Sequence, residues 1–141
     1  MPQHTFPNGS TFVVGERRPI EVLEFRLDPR HLDEFLRVDH EVWTLGEAFL
    51  PEWGRTPFLS KEVWTDDSRP GHVTLVFVWE SEAAWNAAAE PGLQERLQAE
   101  FDRRFPHEIT LVAAPHEDSN HGIHRVSRFE RGTPGPTGGD T

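Results

Sequence analysis

The amino-acid sequence predicts an α+β domain with the element order β-α-β-β-α-β, which is the ferredoxin-like arrangement. Three observations predict this fold class. Residues 20–27, IEVLEFRL, alternate between two faces as a strand does. The run at 72–80, HVTLVFVWE, is apolar on both faces, as in a central strand covered on each side. Two long helical segments, at 29–45 and 81–105, each separate strand-like runs.

The first half of the domain begins with the strand at 20–27 and continues into a helix. Asp28 is a suitable N-cap, and Pro29 falls at the first helical position, where its missing N–H has no cost. We expect this helix to run from about residue 29 to 45, with Gly46 near its end or at a bend. A loop then leads to a strand at 58–65.

The second half repeats this design. A turn at 66–71 precedes the central strand, and Ser81 can cap a helix at 81–105 that Pro91 and Gly92 interrupt. The last clear strand is at 107–114, and weak alternation at 125–131 indicates a further edge strand. Both helices would cover one sheet face, so the opposite apolar face needs a partner. We therefore expect a homodimer with its two sheets packed together.

The ends of the chain differ in composition from the domain. Residues 1–17 form a predicted N-terminal extension, whose apolar patch TFVV at 11–14 could add an edge strand or contact a partner. The predicted domain spans 18–131. Residues 132–141, GTPGPTGGDT, are predicted to be a flexible tail.

Composition excludes several function classes. A net charge of −10 argues against binding to nucleic acid or to an anionic membrane surface. The absence of cysteine excludes disulfides, thiolate nucleophiles and zinc–thiolate sites. The sequence has no apolar run near the roughly 20 residues that span a bilayer and no signal-peptide pattern, so a cytoplasmic location is expected. Five Trp and ten Phe in 141 residues favour an apolar pocket or an interface.

The segment RVDHEVWT at 37–44 supplies the candidate catalytic residues. The helical stripe through Phe35 and Trp43 also passes through Asp39 and His40, so a packed face would carry an acid and an imidazole. These residues could line a cavity, where His40 would move a proton with help from a neighbouring carboxylate, and Glu62 or Glu24 could partner either Asp39 or His40. Alternatively, Asp39 makes a structural bond to the backbone or an Arg, and His40 sits at the helix edge.

Aromatic side chains supply the candidate substrate-binding residues. Trp64 and Trp79 lie on neighbouring predicted strands and could stack on a flat ligand, together with Trp43. Trp85 is assigned to the core. Trp53 lies in a loop and could act as a lid, and Arg55 beside it could bind a carboxylate or phenolate.

A metal site is the weaker interpretation of the C-terminal histidines. His116, His121 and His124 could hold a divalent ion, but their spacing fits no familiar metal site, and polar loops of this kind are usually solvated. His72 and His107 begin strands and are assigned to the surface. We expect neither a metal nor another cofactor.

Three segments carry a resemblance to a known family. FLSKEVW at 58–64, HVTLVFVWES at 72–81 and EAAW at 82–85 resemble antibiotic-biosynthesis-monooxygenase-like proteins, which are dimeric α/β barrels. The resemblance covers roughly residues 20–113 and implies the same fold and dimer for this chain. That superfamily includes cofactor-free monooxygenases, haem-degrading enzymes and polyketide cyclases, and it has no universal catalytic motif to transfer.

These observations favour a small-molecule enzyme of specialised metabolism. A cofactor-free monooxygenase or a cyclase acting on a flat, apolar, aromatic or polyketide-like substrate fits best. His40 or Asp39 would be the base, and the tryptophans would exclude water. Two alternatives stay open: a haem or metal enzyme that uses His40 or a C-terminal histidine, and a binding protein without catalysis.

Overall fold

The computed structural model describes residues 3–114 and 122–132. The chain divides into two compact units, one formed by residues 1–18 with 124–141 and the other by 19–123. The two units are separated where few contacts join them. The domain limits expected at residues 18 and 131 stay a prediction.

The first unit is a small antiparallel assembly. Strand β1 (Gln3–Thr5) pairs with the start of β2 (Thr11–Leu27), with Gln3 opposite Val13. Strand β6 (His124–Glu130) also pairs with β2, in agreement with the edge strand expected near 125–131. The rings of Phe6 and Phe129 lie 5.7 Å apart. The predicted extension therefore contains β1 and the start of β2, with the patch at 11–14 as part of that strand.

The second unit confirms the predicted fold class. It contains the rest of β2, followed by β3 (Phe58–Thr65), β4 (His72–Trp79) and β5 (Ile109–Ala113). β4 lies between β2 and β3, and β5 pairs with the other edge of β2, so the strand order is β3-β4-β2-β5 with antiparallel neighbours. This is the strand order of a ferredoxin-like sheet. Each of the two central strands, β2 and β4, is followed by a helical crossover.

The first crossover is longer and less regular than predicted. After a 3-10 turn at Pro29–His31 come α1 (Leu32–Val38), a π-helix (Asp39–Thr44) and α2 (Leu45–Ala48). The Asp28 side chain accepts a hydrogen bond from the Arg30 backbone N–H at 2.9 Å, which confirms the predicted cap. Gly46 lies inside α2, where its Cα faces the side chain of Leu97.

The second crossover is interrupted as expected. Helix α3 (Glu82–Ala88) is capped by Ser81, whose hydroxyl accepts from the Ala84 N–H at 3.1 Å. Pro91 begins a separate helix, α4 (Pro91–Arg104), because proline fits the first helical turn but not the interior.

The core lies between the helices and one face of the sheet. The rings of Phe77 and Trp79 stack at 5.3 Å and those of Trp79 and Trp85 at 5.8 Å, so the prediction that Trp85 belongs to the core is confirmed. None of the helices in the described ranges combines the length and apolar character needed to cross a bilayer.

Candidate functional site

A cavity of about 440 Å³ lies between the helices and the sheet of the second unit. Its walls are mostly apolar, and its polar groups are carboxyls and amides. The lining residues are Glu21, Leu23, Phe25, Phe35, Asp39, Trp43, Glu47, Leu75, Phe77, Gln94, Gln98, Phe101, Ile109 and Leu111. Such a volume and such walls suit a small organic ligand.

The π-helix determines which side chains of the first crossover face this cavity. Phe35, Asp39, Trp43 and Glu47 all line it, at intervals of four residues. In an α-helix, four-residue steps drift by about 40° each, so a row of this length would turn away. The wider turn of the π segment offsets this drift and keeps the row on one side. Such segments are frequent at functional sites.

Asp39 is held by a buried ion pair. Lys61 on β3 donates hydrogen bonds from Nζ to Asp39 Oδ2 and to Thr44 Oγ1, both at 2.6 Å. The side chains of Lys61 and Asp39 are only 5% and 4% exposed. Burial raises the pKa of Asp39, and the Lys61 ammonium opposes that rise. Lys61 is the one lysine of the chain. Its charge balances that of the buried Asp39 carboxylate.

Glu47 is the second buried acid of the cavity. Its residue exposure is 7%, and Gln94 donates from Nε2 to its Oε2 at 2.9 Å. Burial raises the pKa of Glu47 to about 7, the Gln94 hydrogen bond lowers it in part, and the nearby Glu21 charge adds to the rise. A carboxyl with this pKa can accept or donate a proton near neutral pH.

Glu21 completes the acidic part of the lining. The indole N–H of the buried Trp79 donates to Glu21 Oε1 at 3.1 Å. Gln94 is fixed in turn, because its Nε2 also donates to the carbonyl of Ala88 at 2.7 Å. The cavity therefore presents Glu21 from β2 and Asp39 and Glu47 from the first crossover, with Lys61 paired to Asp39.

The predicted catalytic pair is divided by the structure. Asp39 and Trp43 line the cavity. His40 is solvent-exposed and lies outside the cavity lining that the described residues form. The proposed proton-transfer role of His40 stays a prediction, and geometry favours the carboxyls over it.

The predicted substrate-binding residues are not gathered in one place. Trp79 is 1% exposed and reaches the cavity only through its bond to Glu21. Trp64 is 52% exposed, and its indole donates to Glu62 Oε1 at 2.9 Å. By strand register, Trp64 and Glu62 lie on the sheet face opposite the helices, whereas Trp79 lies on the helix face, stacked on Phe77 and Trp85.

Trp53 and Arg55 form a separate contact in the loop before β3. The Arg55 guanidinium lies 5.3 Å from the centre of the Trp53 ring and donates two hydrogen bonds to Glu80, each 2.6 Å long. Trp53 packs against the core, and its indole N–H is buried without a hydrogen-bond partner among the described residues. Their role as lid and anion clamp stays a prediction.

The predicted metal residues are described only in part. His124 is half-buried in β6, whereas His116 and His121 lie outside the described residues. Their alternative role as metal ligands is therefore untested.

Sequence reasoning missed five polar residues of the site: Glu21, Glu47, Lys61, Gln94 and Gln98. Glu47 continues the four-residue spacing from Asp39 and Trp43, which was a usable signal. Lys61 was recognisable as the one lysine of the chain, on the face of β3 opposite Glu62. Strand alternation places Glu21 on the face of Leu23 and Phe25, which also line the cavity, whereas nothing in the sequence linked Gln94 to it.

Comparisons with solved structures give matches over most of the chain. A Caulobacter crescentus protein provisionally named an antibiotic biosynthesis monooxygenase matches at 10% identity and a TM-score of 0.49, over 85% of this chain and 93% of its own. A Chloroflexus aurantiacus protein with the same provisional name matches at 18% identity and a TM-score of 0.43, over 85% and 98%.

A mutant of SnoaB, a cofactor-independent oxygenase from Streptomyces nogalater, matches at 19% identity and a TM-score of 0.41, over 72% of this chain and 97% of its own. Neither a protein-family profile nor a curated protein sequence matches the chain. The expected resemblance is thus found among solved structures. Because identities and TM-scores are low, the fold rests on strand order, and no activity follows from the matches.

Proposed function

We propose that this chain is an enzyme that removes a proton from a flat, apolar, aromatic or polyketide-like substrate held in the cavity. The observation that carries this proposal is the pair of buried carboxyls, Asp39 and Glu47, at an apolar cavity of about 440 Å³. Burying carboxyl groups beside an apolar space has a cost in stability, and buried acids with a raised pKa in a cavity are typical of catalytic sites.

Glu47 is the proposed base. With its pKa raised to about 7, a substantial fraction is ionised at neutral pH, and this carboxylate is more basic than an exposed one. It would take a proton from an acidic C–H or O–H of the substrate. Gln94 fixes one carboxyl oxygen by donating to it, which leaves the other to face the substrate.

Asp39 and Lys61 are proposed to position and balance this site. The ammonium of Lys61 neutralises Asp39, so that Glu47 is not surrounded only by negative charge. Trp43, together with Phe35 and Phe77, would form the walls that exclude water from the substrate anion.

Two reactions can follow from the substrate anion without a cofactor. In an oxygenation, an activated methylene reduces dioxygen, so that one oxygen atom becomes a carbonyl and the other leaves as water with the two hydrogens lost from carbon. In a cyclisation, the carbanion attacks a carbonyl of the same molecule, and the proton held by Glu47 returns to the new alkoxide. Oxygenation is our leading proposal, because it is the activity that the sequence resemblance implies.

The acting form is proposed to be a homodimer. The sheet face opposite the helices carries apolar side chains from four strands, with Trp64 52% exposed and Val112 45% exposed. A second copy of the chain would cover this face, and the cavity, which lies on the helix side, would remain open to substrate.

The test measures oxygen uptake and product absorbance with anthrone-type and naphthol-type phenols, under air and under nitrogen. We expect Glu47→Gln to lower turnover by about a hundredfold while the substrate still quenches Trp fluorescence. Glu95→Gln, an exposed change on α4, is the matched control and should have no effect. Full activity of Glu47→Gln with loss in His40→Ala would move the base to His40. Tight binding without turnover would instead support a binding protein.

A further inference from the structure

We propose that His31, Glu34 and His107 form a binding site for a divalent transition-metal ion of the zinc type. The three residues each offer one ligand atom, and these atoms lie within 4.8 Å of one another. They form the only such group of histidine and acid side chains found in the described residues. None of the three lines the cavity of the proposed active site, so this proposal does not depend on the proposed function.

The local sequence brings the first two ligands to one side of the helix start. His31 ends the 3-10 turn, and Glu34 lies three residues later in the first turn of α1. Residues three apart in a helix are neighbours on its surface. Asp28 caps the 3-10 turn through the Arg30 N–H, so the backbone that carries His31 has a defined start.

The third ligand comes from the far end of the second crossover. His107 lies between α4 and β5, and its Nε2 is 3.0 Å from Glu34 Oε1. Its ring stacks on that of His31 with centres 3.7 Å apart and planes within 7°. The start of the first crossover therefore supplies one histidine and the carboxylate, and a segment more than 70 residues later supplies the second histidine.

A buried phenylalanine supports the histidine pair. Phe105 is 2% exposed and presents its ring edge-on to His107 at 5.0 Å and to His31 at 6.5 Å. This packing keeps both rings beside Glu34, and because the lone pair of a ligating imidazole nitrogen lies in its ring plane, one of the two stacked rings must turn for both to bind one ion.

The exposure of the cluster suits an exchangeable ion. The side chains of His107 and Glu34 are 27% and 35% exposed, and His31 and His107 line a surface groove that also contains Asp28 and Glu108. Two ligands of a tetrahedral zinc lie about 3.4 Å apart. Rotations of these partly exposed side chains can close the cluster to that spacing, and three protein ligands leave a position for water.

The donor set indicates the class of metal. Imidazole nitrogen with one carboxylate suits zinc, iron, nickel or copper, whereas calcium and magnesium prefer all-oxygen sites. The net charge of −10 further favours a cation over an anion at this surface.

The experiment is calorimetric titration of the full chain with zinc chloride after dialysis against a chelator. We expect one tight equivalent for the wild type and for His116→Ala/His121→Ala, the control for the C-terminal histidines. His31→Ala/His107→Ala should lose that equivalent, and Glu34→Gln should weaken it about tenfold to a hundredfold.

A second measurement guards against misfolding of the double variant. Zinc should raise the melting temperature of the wild type and of His40→Ala, but raise that of Glu34→Gln much less at the same concentration. The proposal is overturned if the wild type binds no equivalent of zinc at micromolar concentration. It is also overturned if the equivalent survives in the His31/His107 variant and disappears in the His116/His121 variant.

Discussion

At the scale of single residues, Glu47 connects protonation to stability. Its pKa in the folded chain is about 7, compared with an ordinary value of 4.5, because burial disfavours the carboxylate. The folded state therefore holds a proton that the unfolded chain releases. This contribution to stability is complete below about pH 4.5 and is lost as the pH rises through 7.

We expect Glu47→Gln to remove this dependence, because a neutral amide has no proton to lose. Relative to the variant, the wild type should lose roughly 3 kcal/mol of unfolding free energy between about pH 4.5 and pH 8. Urea unfolding at several pH values measures the difference, and Glu95→Gln should follow the wild type. Parallel pH profiles for the wild type and Glu47→Gln would show that Glu47 ionises normally.

The ion pair between Lys61 and Asp39 supports a second residue-scale prediction. Lys61→Met leaves the Asp39 carboxylate buried without its partner, and removing one member of a buried pair costs about 3–5 kcal/mol. We expect the double variant Lys61→Met/Asp39→Leu to recover most of that loss, since apolar groups can replace both charges.

Urea denaturation of the single and double variants measures this coupling. Arg103→Met, which removes one member of the exposed pair with Glu100, is the control and should change stability by no measurable amount. A double variant no more stable than Lys61→Met would mean that the pair supports packing rather than charge balance.

The same residues mark the limit of prediction from sequence. Asp39 and Trp43 were found because a polar residue on an apolar helical stripe is visible in the sequence. Lys61 and Gln94 come from segments whose proximity to Asp39 and Glu47 depends on tertiary structure. Strand alternation also left two faces to choose from, and Glu62 and Trp64 belong to the face away from the cavity.

At the scale of elements, the irregular first crossover explains the position of His40. The prediction assumed one α-helix with constant periodicity from about residue 29 to 45. The π-helix at Asp39–Thr44 widens one turn, keeps Asp39 and Trp43 on the cavity side and leaves His40 exposed. Residue type does not indicate where a π-helix forms. Periodicity alone therefore could not predict the start of the π-helix at Asp39.

Turn geometry supplies an element-scale prediction. Gly71 precedes β4 with φ of +88°, and a Cβ at this position would lie 2.1 Å from the backbone oxygen of Leu27. Gly54 has a similar φ of +76°, but its Cβ would meet nothing within 4 Å. The two glycines therefore separate the cost of a positive φ from the cost of a backbone clash.

We expect Gly54→Ala to destabilise the chain by about 1 kcal/mol, which is the ordinary cost of this backbone region. Gly71→Ala should cost about 3 kcal/mol or more, because the Leu27 strand must also shift away from the turn. Equal losses in chemical denaturation would show that the turn at Gly71 relaxes without cost.

At the scale of the whole molecule, the fold class was the most predictable property. Alternation in β2, the apolar run of β4 and the cap residues Asp28 and Ser81 are local signals, and together they fix the order of elements. The sequence indicated the cavity only through two polar residues on the packed face of one helix. The size of an unfilled space depends on how the helices pack on the sheet, which the sequence pattern does not show.

The sheet face away from the helices predicts that the chain associates with itself. By register, this face carries Val22 and Val76 in one row with Glu62, Trp64 in the next row with Glu24, and Arg26 beyond them. Apolar groups surrounded by both signs of charge suit a two-fold contact, in which each patch meets its own copy.

We expect the chain to sediment as a dimer and Trp64→Glu to sediment as a monomer with an unchanged far-ultraviolet circular dichroism spectrum. Phe49→Glu is the matched control, because Phe49 is 72% exposed but lies just after α2 rather than on the sheet. A dimer that persists in Trp64→Glu would place the contact on another surface. A monomeric wild type would leave the apolar face without a second copy and would remove the homodimer from the proposed function.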